Sequence, residues 1–521
     1  MTKINSADES RARAGLYPIK KRKTMNFIST RGEEKVTGAQ AIVKGIASDG
    51  GLFVPEFFPA VSFKELEEML PMDYPERAAH ILHKYLDDYD RSELLEALKS
   101  AYSQFEDGDA APLVKVENGM FMLELFHGPT CAFKDMALTV LPYLLRKGCD
   151  LCGIKEEVLI LVATSGDTGK AALEGFKDQK GVKVMVFYPD EGVSKMQKLQ
   201  MGTQDGDNVN VVAVKGNFDD CQTGVKKIFN SESYRDELKK KGILLSSANS
   251  INFGRLAPQI CYYFSAYLDL VSSDQIKMGD KVDFTVPTGN FGNILAGYYA
   301  KRMGLPVGTL LCASNKNNVL TDFLRQGTYD SKRPLQRTMS PSMDILVSSN
   351  LERLIFEVSG RDAALTKERM RSLAATGKYA VRPEELKSIR EHFRAGYTSE
   401  DDTVECIYEF FTEYGYPMDT HTGVAMSVAE RYTRKRAEDP AKEERPMVVI
   451  STASPYKFPQ DVLYALTGND VKDSFKGVKR IYLLTAMKVP EALKAIRYKP
   501  IRFKDVVPPD RMYEEVLKFI G

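Results

Sequence analysis

Between about Pro112 and Phe323, short β-branched runs alternate with helical stretches, and this alternation restricts the possible folds more than any other feature of the chain. Residues 158–163, 183–187, 209–214 and 282–286 are apolar, brief and bounded by turn residues. Residues 169–177, 193–201, 219–229 and 256–270 lie between them with helical spacing. A parallel strand pair needs a crossover, which a helix supplies, and strands buried on both faces read as continuous apolar runs. The pattern predicts an α/β fold with a largely parallel, helix-covered sheet. Residues 447–451 read as a further buried strand, 462–467 as a helix and 361–436 as a polar helical stretch. Ahead of the alternation, residues 25–108 read as a mostly helical N-terminal domain, with helices at 37–48, 63–69 and 91–105 and a Gly50-Gly51 turn feeding a short apolar segment. Residues 1–24 are polar and basic without periodicity and read as an extension outside the fold.

At 521 residues, 43% of them apolar, the chain has material for about three domains. Lys and Arg total 72 against 71 Asp and Glu, a formal net charge of +1. That balance offers no broad cationic face for nucleic acid or an anionic membrane. No apolar run approaches the roughly 20 residues a bilayer span requires, and no apolar signal core stands near the N-terminus. Seven cysteines, an odd number, do not suit a secreted disulfide framework. Cys149 and Cys152 have no second pair at zinc spacing, and His80 and His83 read as helix-surface or packing residues, so no metal site is expected. The chain reads as a cytoplasmic protein with a small-molecule substrate.

Three turns carry candidate chemistry. Ala163-Thr164-Ser165-Gly166-Asp167-Thr168-Gly169-Lys170 follows a strand and opens a helix. It is not a P-loop, because Thr164 stands at the first glycine position and Ala171 at the hydroxyl position that binds Mg²⁺. It reads either as an anion-binding strand–turn–helix or as a plain tight turn. Pro287-Thr288-Gly289-Asn290-Phe291-Gly292-Asn293 also joins a strand to a helix, and its glycines permit close backbone approach to a phosphate. It is not a G-x-G-x-x-G, so a dinucleotide is not indicated. In the third, Lys134 follows a Gly-Pro-Thr turn among Cys131, Ala132, Phe133, Met136 and Ala137. Apolar company desolvates an amine and lowers its pKa, which makes Lys134 a candidate Schiff-base lysine; a surface lysine with a buried stem is the plainer alternative.

Together these words resemble the fold-type II pyridoxal-phosphate enzymes, and the local match extends to the threonine synthases. HGPTCAFKD, ATSGDTGKAAL, NSINFGR, PTGNFGN, MDILVSSNLERL, the early ISTRG and DGGLFVPE, and STASP span residues 28–455. The resemblance implies a tryptophan synthase β-like fold: the N-terminal domain 25–108, a large cofactor domain of 109–140 and 272–521, and a smaller α/β domain, 141–271, inserted into it. It implies that Lys134 holds pyridoxal 5′-phosphate covalently, that Gly289, Asn290, Phe291, Gly292 and Asn293 bind its phosphate, and that Thr452 faces the pyridine nitrogen. Asp167 falls near the 3′-oxygen, where many relatives carry Asn; an acid there favours a protonated oxygen or an altered hydrogen bond. Relatives often have His where this chain has Ser454. Ser165, Thr168, Asn252 and Arg255 are the candidates for the substrate's phosphate. The implied reaction is γ-elimination and β-hydration of O-phospho-L-homoserine to L-threonine and phosphate, the last step of threonine biosynthesis. A phospho-lyase giving a 2-oxo acid is the alternative, and family members are monomers or homodimers.

Overall fold

A computed structural model of the chain describes residues 24–439 and 444–521 except Asn118, Ser165 and Gly192, so the extension 1–24 lies outside the described residues apart from Thr24. The strand–helix alternation builds two sheets. The larger runs, edge to edge, Phe393–Tyr397, Val307–Ser314, Val282–Pro287, Met447–Ser451, Met120–Glu124 and Leu113–Glu117. All its neighbours are parallel except the last pair, an antiparallel hairpin. The smaller runs Val506–Val507, Val209–Val214, Val182–Pro189, Glu157–Ala163 and Ile243–Ser246, wholly parallel. Helices cover both faces, which is why the central strands VDFTVP and EVLILVA are apolar almost throughout.

The N-terminal segment adds a three-stranded antiparallel sheet of Lys35–Thr37, Asn26–Ser29 and Phe53–Pro55 to the expected helices. The helix Tyr74–Tyr85 starts at a capping box of Asp73 and Glu76, with Pro75 in its first turn, and packs on the helix Phe253–Ser272. Phe253–Ser272 is apolar nearly all round, the composition of an interior helix, and is buried over most of its length.

Three expectations differ from what forms. The stretch 361–436 divides into the helices Ala363–Thr376, Pro383–His392, Glu400–Tyr414 and Thr420–Ala437. Phe393–Tyr397 interrupts them as the edge strand of the larger sheet; with Arg394 and Gly396 in it and only Phe393 of its five residues buried, it has no apolar run to mark it. The helix Phe253–Ser272, expected with 141–271, packs against Gly292–Met303 under the larger sheet. The chain's end, expected with the larger sheet, returns to the smaller one: Val506–Val507 pairs beside Val209–Val214, and Met512–Ile520 packs on the same core. A two-residue strand carries no periodicity by which to foresee this.

Arg353 ties the N-terminal sheet to the site. It is fully buried, with Nε donating to the Phe53 carbonyl at 3.0 Å, Nη2 to the Ile251 carbonyl at 2.6 Å and Nη1 to the Asn350 side chain. Asn350 in turn donates its N–H and Nδ2 to the Asn290 carbonyl, both at 3.1 Å. Each carbonyl orphaned by losing the guanidinium costs about 1–3 kcal/mol. Arg353→Leu is therefore expected to lower the unfolding free energy by about 3–5 kcal/mol, read as a lower denaturant midpoint. An unmoved midpoint would mean that this guanidinium is not what holds the three segments together.

Candidate active site

The carboxyl ends of the parallel strands face one cleft, the place where open α/β sheets bind ligands. Lys134, Asp167, Thr168, Arg255, Gly289, Asn290, Phe291, Gly292, Asn293 and Thr452 all line a single pocket there. Ser165, in the same turn as Thr168, lies outside the described residues.

The Lys134 loop is sewn to the end of Met447–Ser451. Ala132 bridges Ala453, the Phe133 N–H donates to the Thr452 carbonyl at 2.8 Å, and the Ser454 N–H donates to the Cys131 carbonyl at 3.1 Å. Asp135 fixes the turn, accepting from the Thr130 N–H at 2.8 Å and the Thr130 hydroxyl at 2.6 Å. Gly128 is required beside it, since a Cβ there would meet Asp135 at 2.5 Å. The Lys134 side chain is only 11% exposed, and its Nζ lies 4.6 Å from the Phe133 ring centre. Burial pulls its pKa down; Asp167, 3.4 Å away, opposes that, and the charge of Lys457 reinforces it.

Asp167 is the best-connected group in the cleft. Its Oδ1 accepts from Lys457 Nζ at 2.9 Å and Gln197 Nε2 at 2.8 Å, while Oδ2 faces Lys134 Nζ and the Ser342 hydroxyl, each at 3.4 Å. Burial works against its charge, but Lys457 and then Lys134 overcome that and hold the carboxyl far below its ordinary range. Lys457 is itself fully buried and donates to the Thr130 carbonyl at 2.7 Å. Sequence reasoning missed it, although the signal was the one that marked Lys134: a lysine in Pro455-Tyr456-Lys457-Phe458, among apolar neighbours. It also missed His421. That ring lines the pocket from the first turn of Thr420–Ala437, with Nδ1 2.6 Å from Asp419 Oδ2. Its Nε2 accepts from the Ser342 N–H at 3.1 Å, and a backbone N–H can only donate, so the ring proton sits on Nδ1.

The loop after Val282–Pro287 approaches its neighbours closely at Gly289, where a Cβ would lie 2.8 Å from the Ser342 carbonyl. At Gly292 the nearest atom to a Cβ is Asn350 Nδ2 at 3.4 Å, ordinary contact. The left-handed backbone falls on Phe291, φ 61°, a conformation uncommon for a bulky residue, which then caps the helix Gly292–Met303. Asn293 Oδ1 is taken by the hydroxyls of Tyr262 and Tyr263, at 2.6 and 2.9 Å, leaving Nδ2 buried without a partner. Arg255 spends Nη1 on the Ala248 carbonyl at 2.6 Å, and its Nε is likewise buried and unpaired. Asn252 is a correction. It does not line the pocket; its Nδ2 donates to the carbonyls of Ile42 and Ser247, and its Oδ1 accepts the Gly254 N–H at 2.8 Å, so it caps Phe253–Ser272 with no donor left for a phosphate.

A desolvated lysine, a glycine-lined helix start and two unpaired buried donors fit pyridoxal phosphate, and with the two-sheet frame they define an enzyme of fold type II that uses this cofactor. The family model for pyridoxal-phosphate dependent enzymes matches residues 110–452, flanked by those for the threonine synthase N terminus at 26–102 and C-terminal region at 422–520. The chain is 39% identical to threonine synthase of Pseudomonas aeruginosa over 84% of this chain and 90% of that protein. It is also 39% identical to threonine synthase-like 1 of Homo sapiens over 88% of this chain, but spans only 63% of the length of that relative. The structure of pyridoxal-phosphate-bound threonine synthase from Brucella melitensis superposes with a TM-score of 0.83 at 36% identity, covering 95% of this chain and 99% of the other. Yeast threonine synthase superposes at 0.82 with 32% identity, covering 95% and 98%. The chain belongs to the threonine synthase family.

Two substitutions probe this geometry. Gly289→Ala puts a Cβ against a backbone carbonyl, and pyridoxal phosphate affinity is expected to fall at least about tenfold, equal to 1.4 kcal/mol, with the fold kept; equilibrium dialysis reads it, and unchanged affinity would rule out close approach at this glycine. Lys457→Met removes the larger counter-charge from Asp167, whose pKa should then rise. The depressed pKa of Asp167 supplies stability present above its unfolded value and lost as pH falls. In Lys457→Met the acid limb of cofactor retention should accordingly begin at higher pH than in the parent. Coincident profiles would remove Lys457 as the ionising partner.

Proposed function

We propose that the chain is a threonine synthase, converting O-phospho-L-homoserine and water to L-threonine and phosphate. The observation that carries this reading is the meeting, in one pocket, of a desolvated Lys134 with two separate unpaired donors, Asn293 Nδ2 and Arg255 Nε. One donor serves the cofactor's phosphate and the other the substrate's. Gly289, Asn290, Phe291, Gly292 and Asn293 would hold the cofactor's phosphate, Thr452 would face its ring nitrogen and Asp167 its 3′-oxygen. Arg255 and Thr168, with Ser165 in the same turn, hold the substrate's phosphate. The enzyme acts in the cytoplasm as a monomer or homodimer; among the described residues no helix is long and apolar enough to cross a membrane.

The reaction takes a proton from Cα and one from Cβ, expels phosphate with the Cγ–O electron pair, returns a proton to Cγ and Cα, and adds the oxygen of water at Cβ. When bound, pyridoxal phosphate supplies the sink that accepts the electron pairs released at Cα and Cβ. Lys134 is the catalytic amine: burial lowers its pKa, which favours the neutral Nζ that can take and return protons. Asp167, ionised and bound to Lys457 and Gln197, keeps a fixed negative charge 3.4 Å from that nitrogen. Arg255 presents a planar fork to a dianion that must be held and then released.

Purified holoprotein given O-phospho-L-homoserine is expected to yield phosphate and threonine in equal amounts; phosphate with a 2-oxo acid would assign the lyase reaction instead. Borohydride reduction and peptide mapping are expected to place the pyridoxyl group on Lys134, and a label elsewhere would overturn its role. Arg255→Lys is expected to lower kcat/KM for phosphohomoserine by a factor of about 30 to 1,000, equivalent to 2–4 kcal/mol, with far less effect on slow turnover of unphosphorylated serine. Equal losses on both substrates would assign Arg255 to the fold or the cofactor.

A further inference from the structure

Behind the larger sheet lies a cavity of about 770 Å³ whose walls carry six cationic side chains: Arg325, Arg394, Arg431, Lys435, Arg436 and Arg445. It is separate from the catalytic pocket. The helix Thr420–Ala437 connects the two, with His421 in the catalytic pocket and Lys435 at the cavity. Those positions are fourteen residues apart on that helix, about 21 Å at 1.5 Å per residue. The chain as a whole is nearly neutral, at +1, so this is a local concentration of charge.

The fold accounts for where these cations sit. Arg325 donates Nε and Nη2 to the Ala395 carbonyl at 3.2 and 2.8 Å, and Arg431 donates Nη2 to the Tyr397 carbonyl at 2.8 Å. Arg394 donates Nη1 to the carbonyls of Arg390 and Phe393. The three bonds from Arg325 and Arg431 cover the open edge of Phe393–Tyr397, as a sheet edge requires. A neutral donor would serve equally well there, because a carbonyl orients a guanidinium without cancelling its charge. Each guanidinium has five N–H donors, and these bonds use one or two of them. Asp402 lies 3.4 Å from Arg431, and Asp283 pairs with Arg436 and, at 3.6 Å, with Arg445. These carboxylates offset part of the charge, but Arg325, Arg394 and Lys435 take no part in the ion pairs found among the described residues. Lys301, which donates to the Gly308 carbonyl, has its pKa lowered to about 8, by burial first, against the pull of Asp283, with Lys281, Arg445 and Arg394 adding repulsion.

The rest of the cavity is not ionic. Leu311 and Val428 are apolar, and Tyr397 and Tyr432 add aromatic rings, Tyr397 being 48% exposed. An apolar and aromatic bed ringed by arginines suits a ligand with a planar ring at one end and several phosphates at the other. Arginine forks bind phosphate oxygens bidentately, and an exposed tyrosine face can stack on a heterocycle. The volume lies within the range of about 300–1,000 Å³ usual for small-molecule sites.

We propose that this cavity is a binding site for a nucleoside polyphosphate, with the phosphates along Arg325, Arg394, Arg431 and Lys435 and the base against Tyr397 and Tyr432. The site is additional to the catalytic pocket and takes no part in the proposed reaction. The test is calorimetric titration of the pyridoxal-phosphate-loaded protein with ATP and, separately, with inorganic tripolyphosphate, in about 0.1 M salt. Saturable ATP binding is expected, weakening as salt rises because the cations are exposed. Lys435→Glu and Arg394→Glu are each expected to weaken it at least about fivefold, equivalent to about 1 kcal/mol, while phosphohomoserine turnover stays unchanged. Tripolyphosphate, lacking the ring, is expected to bind at least about fivefold more weakly than ATP. Absence of saturable ATP binding, an affinity unchanged in both variants, or tripolyphosphate binding as tightly as ATP would each overturn the proposal. Because Lys435 and Arg394 lie outside the catalytic pocket, ATP occupying that pocket instead would show as binding insensitive to both variants.

Discussion

Two lysines and one carboxylate share the floor of the cleft, and much of the site's geometry follows from their pairing. Asp167 begins a helix on the smaller sheet, whereas Lys134 and Lys457 belong to loops at the end of the larger one. The contact between Lys457 and Asp167 at 2.9 Å therefore joins the two sheets beside the pocket that Lys134 lines. A buried ion pair adds little net stability, since desolvation consumes most of its Coulomb gain. Its effect here is positional. Both partners are almost wholly buried, so any movement of one sheet away from the other leaves two charges unpaired in an apolar setting. Lys134 then sits at the second oxygen of the same carboxylate, in an environment that opposes its charge through burial and through Lys457, and supports it only through Asp167. One interaction thus positions the sheets and tunes the amine.

The same economy governs the backbone. Parallel strands deliver their C-terminal ends to one edge, and three of the turns leaving that edge meet. The turn after Glu157–Ala163 is closed from within, with the Thr164 hydroxyl accepting the N–H groups of Gly166 and Gly169, both at 2.9 Å. The turn after Val282–Pro287 is held from outside, by Asn350 on its Asn290 carbonyl and by the Ser342 carbonyl against Gly289. Arg353, through Asn350, makes the second turn depend on the N-terminal sheet. That dependence gives residues 24–100 a physical part in a site to which, among the described residues, they contribute no lining residue.

Much of this was legible in the sequence, for reasons that also explain the gaps. The strands at 209–214 and 447–451 form with those bounds, because a β-branched run closed by turns after five or six residues is too short for a helix. Lys134 was marked by its apolar neighbours. Lys457 carried the same mark but stood outside any glycine turn, so nothing drew attention to it. Phe393–Tyr397 was hidden because an edge strand needs no apolar run, and Val506–Val507 because two residues have no period. Pairing partners are a further layer that spacing does not encode. Asp167 was visible as an acid in place of an amide, but the lysine that keeps it ionised lies 290 positions along the chain, at 457, and meets it only in the fold.

Asn252 and Arg255 show how that layer decides between readings. Both stand in NSINFGR, at the start of one helix, and both carry donors suited to a phosphate. An amide has two N–H groups, and the two carbonyls of Ile42 and Ser247 take them; its oxygen takes the Gly254 N–H. Nothing remains to bind an anion, so Asn252 is part of the scaffold. A guanidinium has five N–H groups, and one bond to Ala248 leaves most of them for other work; the Nε is buried with no acceptor in reach. A buried unpaired donor is costly, and proteins retain few of them. Where two such donors, on Arg255 and Asn293, line one pocket beside a helix N-terminus, an anionic ligand repays both at once. The distinction between a ligand-binding side chain and a structural one is therefore settled by counting donors already spent, a count that depends on neighbours as distant as Ile42 and cannot be made from the motif itself.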